Sequence, residues 1–275
     1  MLSFGDFKYH SSLINNAASD GPVSGETSRG EEIVVKLFSN EQNSQHSFET
    51  EAEVLLKLKG KKNICPCVGI KVAPSVSAIA LQKYDTDLFY YAVEQKELSE
   101  KEAIKVFKEI CKGVAQMHKS AIAHLDLKPE NILVNTPTTS IAICDFGLSY
   151  VAPQKKISKK ERKSIQVRNL GVRGSGHYVA PEVLNKENLY NPFAADIYSL
   201  GCVLLVLMTQ RFPLISETGR FVLPPGVCVS ASCEQLLHQR LTPHPQERPT
   251  IEELLAHPFL SHSPLSKLVK NLTRL

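Results

Sequence analysis

His124-Leu125-Asp126-Leu127-Lys128-Pro129-Glu130-Asn131-Ile132-Leu133-Val134 stands near the middle of a 275-residue chain, and fourteen residues after Asn131 comes Asp145-Phe146-Gly147. Both stretches lie between helical patterns. On the N-terminal side, Ser99-Glu100-Lys101-Glu102 reads as a capping box ahead of a helix with Ile104, Phe107, Cys111, Val114 and Met117 on one stripe. On the C-terminal side, Ala195 to Met208 is apolar nearly all round, the mark of a helix buried inside a lobe. Glu252 to Phe259 closes this helical part.

Upstream, to about Gln82, the pattern is strands with one helix. Glu32 to Phe38 is β-rich, and a period of two puts Val34, Lys36 and Phe38 on one face, with Ile33, Val35 and Leu37 on the other. Ser47 to Leu58 reads as a helix with Glu51, Leu55 and Leu58 at i, i+4, i+7 spacing and Gly60 as its stop. A carboxylate facing a core is costly unless a cation meets it, so Lys36 and Glu51 make each other intelligible as a pair. On these two residues alone, a pair of snorkelling surface side chains fits equally well. No internal repeat and no Gly-, Ser- or Pro-rich linker interrupts the chain. The organisation is therefore one α+β unit, residues 1–275, made of two lobes: a small sheet-rich lobe over about 1–82 and a larger, mainly helical one over 83–275.

A hydrophobic content of 43% suffices for a large core and excludes a disordered or fibrous chain. The longest apolar stretch, Ile197 to Met208, falls short of the roughly 18 to 20 residues a membrane helix needs. Met1-Leu2-Ser3-Phe4-Gly5-Asp6 has no basic region followed by an apolar one, so neither a membrane span nor export is expected. Seven cysteines, an odd number without zinc-site spacing, favour buried free thiols in a reducing compartment, cytoplasmic or nuclear. The net charge of +4 is local. Between Pro153 and Arg173 lie Lys155, Lys156, Lys159, Lys160, Arg162, Lys163, Arg168 and Arg173 against the single acid Glu161, and the rest of the chain, with 24 basic and 27 acidic residues, carries −3. Such a run favours a solvated, mobile loop, with an acidic-partner site or a nuclear-import signal as alternatives.

Taken in order, Asp126-x-Lys128-x-x-Asn131, Asp145-Phe146-Gly147 and Ala180-Pro181-Glu182 resemble the signature motifs of a eukaryotic-type serine/threonine protein kinase, and the likeness extends from about residue 10 to 262. Asp-Phe-Gly alone recurs by chance; order and spacing make the signal specific. The resemblance implies a bilobal kinase fold and Mg2+-assisted transfer of a phosphoryl group from ATP to Ser or Thr hydroxyls of a protein substrate, with Mn2+ able to replace Mg2+. It further implies that Asn131 and Asp145 hold the metal, Asp126 accepts the hydroxyl proton, Lys128 offsets charge on the phosphoryl group, Lys36 holds the α and β phosphates, and Glu51 pairs with Lys36. Val23, Val34 and Leu133 match residues above and below adenine. Leu81 matches the gatekeeper, Gln82 and Tyr84 supply backbone groups of the hinge, and Asp87 reaches the ribose. Lys128, two residues after Asp126, and Ser175, where such kinases carry a threonine bonding the catalytic Asp and Lys, imply the Ser/Thr class. Glu182 with Arg248, and Asp196, resemble buried scaffold groups. Leu55, His124 and Phe146 match the inner hydrophobic column of the active state.

Two departures qualify the likeness. With Val23 aligned as the adenine-covering valine, Asn16, Ala18 and Gly21 stand where three glycines are expected, and Asp20 brings negative charge toward a polyanion; Gly25 is the alternative aligned glycine. Weaker ATP binding is implied, not its absence. Leu125 replaces the arginine that usually grips a phosphorylated loop residue, which disfavours switching by loop phosphorylation, although Ser158 and Ser164 lie among lysines. The basic run fits an acidic or phosphorylated substrate, whereas Asp87 and Glu130 resemble acids that select an upstream arginine, and these cues conflict. The rival readings are a pseudokinase scaffold, favoured by the eroded loop and opposed by intact Lys36, Glu51, Asp126, Asn131 and Asp145, and a small-molecule kinase, opposed by Ala180-Pro181-Glu182 and Arg248. A regulatory protein partner is compatible with the family; direct nucleic-acid binding is not expected.

Overall fold

Six strands form an antiparallel sheet: β1 (Leu2–Phe4), β2 (Phe7–Tyr9), β3 (Pro22–Thr27), β4 (Glu32–Ser39), whose run is rich in β-branched residues, β5 (Cys67–Val72) and β6 (Val76–Gln82), in the order β1-β2-β3-β4-β6-β5. The computed structural model describes residues 2–4, 7–9, 22–74, 76–94, 98–153, 157–168, 173–185, 187–217 and 219–260. As the period of two predicts, Ile33, Val35 and Leu37 form a small cluster on one face of β4 with Val23, Ala78 and Ala80. Phe38 turns to the other face and meets Phe48 of helix α1 (Gln42–Lys57) with ring centroids 5.4 Å apart. Helix α1 begins five residues before the position the apolar spacing indicated. Its first turn is polar and carries no periodic signal. Gly60 follows with φ 73°, a left-handed geometry that suits a residue without a Cβ.

The helical lobe follows from Leu81-Gln82 onward. It comprises β7 (Thr86–Asp87), α2 (Leu88–Glu94), α3 (Glu100–Lys119), β8 (Ile122–Ala123), β9 (Ile132–Asn135), β10 (Ser140–Ile143), β11 (Tyr150–Val151), α4 (Lys159–Ser164), β12 (Val167–Arg168), α5 (Pro181–Leu184), β13 (Leu189–Tyr190), α6 (Pro192–Thr209), β14 (Leu214–Ile215), β15 (Phe221–Val222), α7 (Ala231–Arg240) and α8 (Ile251–Leu255). The Ser99–Glu102 capping box opens α3 as expected. Asn191 caps α6 by accepting from the Phe193 and Ala194 amides, which adds a turn to the apolar run and makes it 18 residues. This corrects the length expected from sequence: α6 is long and apolar enough to cross a membrane, but 78% of it is buried inside the lobe, where it serves as the central core helix. Gly201 lets it do so, since a Cβ there would lie 2.9 Å from the Cβ of Arg240 on α7. All seven cysteines are free; Cys65, Cys111, Cys202 and Cys233 are buried as expected, Cys67 and Cys144 are half-buried, and Cys228 is exposed.

Over its described residues the basic segment keeps its lysines exposed, as its charge density suggests, but it is not a loop throughout: α4 forms within it and docks on the helical lobe. Ser158 caps α4, its Oγ accepting from the Glu161 amide at 3.2 Å. Arg162 is buried at 6% exposure and donates to Ile157 O at 3.0 Å and to Glu252 Oε1 of α8 at 2.5 Å. Lys159 and Lys163 reach Glu253 at 2.9 and 3.3 Å. Asn191 Nδ2 donates to the carbonyls of Arg162 and Lys163. A charge count along the chain misses these acids because they arrive from far downstream. Lys155 and Lys156 lie outside the described residues.

This docking has a pH signature. Partial burial works against the Glu253 carboxylate, but Lys159, the Thr250 amide and Lys163 outweigh it and hold its pKa at about 2, against an ordinary 4.5. A carboxyl depressed in the folded state contributes stability above its unfolded pKa and loses it as pH falls through the folded value. The melting-temperature gap between wild type and Glu253→Gln is therefore expected to be widest above pH 4.5 and to close as pH approaches 2. The gap is small, because Glu253 is 38% exposed and its lysine partners are solvated. A gap constant over that range would contradict the pairing.

Candidate active site

Hairpin β9–β10 is the scaffold of the site. Its arms pair from Ile132↔Ile143 to Asn135↔Ser140, so Asn131 and Cys144-Asp145 emerge side by side, and the Cys144 amide donates to Asn131 O at 3.0 Å. Leu125 and Asp145 both adopt left-handed backbone, at φ 65° and 64°, a strain of order 1–3 kcal/mol for each side-chain-bearing residue. Buried Asp196 of α6 holds the first of these in place. Its Oδ1 accepts from the Leu125 amide and its Oδ2 from the His124 amide, both at 2.8 Å, and His118 Nε2 lies 2.9 Å from Oδ2. The scaffold role expected of Asp196 is thus met in the geometry.

Asp126 is the most constrained group of the loop. Its carbonyl and Oδ2 accept from Asn131 Nδ2 at 2.8 and 3.0 Å, and Lys128 Nζ lies 3.3 Å from the same Oδ2. Oδ1 is buried without a partner. Lys128 also donates to Ser175 Oγ at 2.5 Å. Ser175 comes this close because Gly174, at φ 100°, carries no Cβ; one there would lie 2.8 Å from Leu125 O. The structure displays the Ser175–Lys128 bond of the expected arrangement but not a bond from Ser175 to Asp126.

Across the cleft, Lys36 Nζ of β4 donates to Glu51 Oε2 of α1 at 2.7 Å and to Asp145 Oδ1 at 2.9 Å. This resolves the alternative that the sequence left open in favour of a buried pair, with Glu51 fully buried. Burial works against the Lys36 charge, but Glu51 and Asp145 outweigh it and raise its pKa. Burial pushes Glu51 upward and Lys36 draws it back; a 2.7 Å contact of this kind is an ion pair. Partial burial also opposes ionisation of Asp145, yet Lys36, with His124 and Lys128 nearby, keeps it below the usual carboxylate value. With Nδ2 of Asn131 and Oδ1 of Asp145 committed, the opposite oxygens of both groups are left as hard ligands for a divalent cation. Among the described residues there is no cluster of three or more His, Cys, Asp or Glu side chains suited to a metal, and a cation here would have Asn131 and Asp145 as its side-chain ligands.

Of these groups Lys36, Asn131 and Asp145 line one cleft of about 690 Å³, and Glu51, Asp126 and Lys128 stand behind its wall as their partners. Val34, Leu81 and Leu133 form its apolar end, with Gln82, Tyr84 and Asp87 beside them. The Gln82 amide already donates to Pro66 O at 3.0 Å, and Asp87 Oδ1 accepts from the Tyr90 amide at 3.0 Å. Val23 is a correction. It pairs opposite Val35, and directly opposed residues point to the same face, so its side chain joins Ile33, Val35, Ala78 and Ala80 away from the cleft. Pro22, opposite Lys36, takes the cleft face instead. A one-residue difference in register inverts the face a strand residue shows. The glycine-loop alignment built on Val23 falls on Asn16, Ala18, Asp20 and Gly21, which lie outside the described residues; Gly25 sits in β3.

Sequence reasoning missed Asn43, Ser44 and Ser47, which also line the cleft. Stepping back from Glu51 by i−4 and i−7 would have found the two serines. Elsewhere the expected scaffold is in place. Arg248 grips Glu182 bidentately at 2.6 and 2.8 Å with both side chains fully buried, and lies 5.0 Å over the Tyr198 ring. His124 packs at a tilt against Phe146, ring centroids 5.4 Å apart, beside the core that includes Phe146 and Leu55.

The family described as protein kinase domain matches residues 23–260. The probable serine/threonine-protein kinase HSL1 of Saccharomyces cerevisiae is 28% identical over 281 residues, covering 97% of this chain and 17% of the relative. The serine/threonine-protein kinase GIN4 of the same yeast is 32% identical over 203 residues, covering 68% and 17%. Death-associated protein kinase 2 of Homo sapiens is 30% identical over 190 residues, covering 64% and 48%. The chain spans less than half the length of each of these relatives. Two lobes of the expected kind enclose the cleft, and the family match runs through every catalytic-loop residue placed above: the chain belongs to the eukaryotic-type serine/threonine protein kinase family.

Proposed function

We propose that this protein transfers the γ-phosphoryl group of ATP to Ser or Thr hydroxyls of protein substrates. The observation that carries this reading is Asp126, whose carboxylate is anchored through Oδ2 by Asn131 and Lys128 while Oδ1 is left without a partner. An acceptor hydroxyl gives Oδ1 the bond it lacks, and the carboxylate takes the proton as that oxygen attacks the γ-phosphorus and the bond to the β,γ-bridging oxygen breaks, releasing ADP. Lys128, close to the same carboxylate, offsets the charge that develops on the phosphoryl oxygens. Lys36, held between Glu51 and Asp145, presents its ammonium to the α and β phosphates. Asn131 and Asp145 would hold Mg2+, which would supply charge neutralisation for the phosphates. The apolar end of the cleft suits adenine, and the second oxygen of Asp87 suits a ribose hydroxyl. Ser175 on Lys128 and the serine/threonine designation of the relatives support the acceptor class.

The test is incorporation of radiolabel from ATP into generic protein substrates, followed by phosphoamino-acid analysis. Phosphoserine and phosphothreonine are expected. Nucleotide binding without transfer above an Asp126→Asn background would leave a scaffold protein in place of an enzyme, and predominant phosphotyrosine would overturn the acceptor class.

A further inference from the structure

Helix α1 brings its N-terminal end, not only Glu51, to the cleft. Asn43, Ser44 and Ser47 line the same cavity as Lys36, Asn131 and Asp145. Ser47 lies one turn and Ser44 two turns before Glu51, so both continue the stripe that meets Lys36. The start of this 16-residue helix is uncapped: Glu41 at the N-cap makes no side-chain bond to it, and the first turn holds no acid. Gln45 N donates to Glu41 O at 2.8 Å, which leaves the amides of Gln42, Asn43 and Ser44 without helical acceptors. Such an end carries partial positive charge and suits an anion. Independently, Ser44 is more than nine-tenths buried, at 8% exposure, and its Oγ has no partner. A buried hydroxyl without a partner is uncommon because water's bonds have been given up for nothing. Ser47 sits directly against Gly147, filling the place a Cβ there would take, so this end of α1 rests on the Asp145-Phe146-Gly147 triplet. The exposed Glu41 carboxylate is the opposing charge at this end, and Lys36 is the nearest cation inside the cleft.

We propose that the first turns of α1 bind the terminal phosphate of the nucleotide, with the Ser44 and Ser47 hydroxyls and the free amides as donors, so that α1 supplies part of the phosphate grip usually made by a glycine-rich loop. The inference rests on the nucleotide-binding reading above and adds to it residues outside the family's motifs. It also explains why a small polar residue, not an apolar one, occupies buried position 44.

The test is calorimetric affinity for ATP, ADP and adenosine in the presence of Mg2+, for wild type, Ser44→Ala/Ser47→Ala and Ser44→Asp. Losing hydrogen bonds to a charged phosphate is expected to weaken ATP by about tenfold in the alanine variant. Adenosine affinity should stay as in wild type. Ser44→Asp places a carboxylate in a helical first turn, which favours the helix, and should weaken ATP further while leaving adenosine unchanged. Equal ATP affinity in wild type and both variants overturns the inference and leaves the kinase reading standing. A parallel loss for adenosine also overturns it, because the serines would then shape the cleft generally. Absence of ATP binding in wild type would instead remove the kinase reading together with this one.

Discussion

Replacing Asp126 by Asn is expected to lower the rate of phosphoryl transfer by about 10² to 10⁴-fold, the range over which a positioned general base acts, while ATP affinity stays near wild type. The asymmetry follows from what the side chain touches. Oδ2 is engaged by Asn131 and Lys128, whereas Oδ1 is the free acceptor, and no contact of Asp126 reaches the apolar end where the base would sit. An amide retains the shape but has neither the charge nor the basicity to take a proton. Lys36→Met should differ in kind: it strips the cation from buried Glu51 and from Asp145, so both nucleotide affinity and transfer fall. Single-turnover rates with direct binding measurements separate the two. An Asp126→Asn enzyme within about threefold of wild type would remove Asp126 from the chemistry, since such a factor lies far below the effect of a general base.

Arg248→Met should be the most damaging substitution for stability. It leaves Glu182 with an uncompensated charge at a site where both partners are fully buried, a loss of about 3–5 kcal/mol. For a chain of this size that corresponds to a fall in Tm of roughly 10 °C. Arg248 also donates to Ala194 O at the start of α6 and to Thr242 O, so the variant loosens α5 from α6. The segment that carries Ser175 precedes α5 directly, and transfer activity is expected to fall with the melting temperature. Arg248→Met/Glu182→Leu should recover much of the stability, because an apolar pair has no stranded charge. A single variant that melts within a degree of wild type would show the ion pair to be incidental.

Legibility in the sequence followed the range of the interaction. The capping box at Ser99, the two faces of β4 and the Glu51–Leu55–Leu58 stripe depend on neighbours within a few residues, and each matched the structure. The site residues were legible because Asp126, Lys128 and Asn131 share one loop and Asp145 follows at the far arm of a short hairpin. Position 23 was misread for a different reason. Nothing within β3 itself says whether Val23 or Pro22 lies opposite Lys36. The basic run was misread because its acids, Glu252 and Glu253, stand 90 residues away in sequence.

From the sequence alone came the lobes and the order of elements, which follow from local period, and, through the ordered motifs that resemble a protein kinase, the side chains expected to do the chemistry. Tertiary structure alone decided the strand register that turns Val23 away from the cleft, the early start of α1 that carries Ser44 into it, and the capture of a cationic segment by α8. The physical reason is that solvation and facing are not carried by a residue itself. A side chain is paired, buried or wet according to what the fold sets beside it, and those neighbours come from distant parts of the chain.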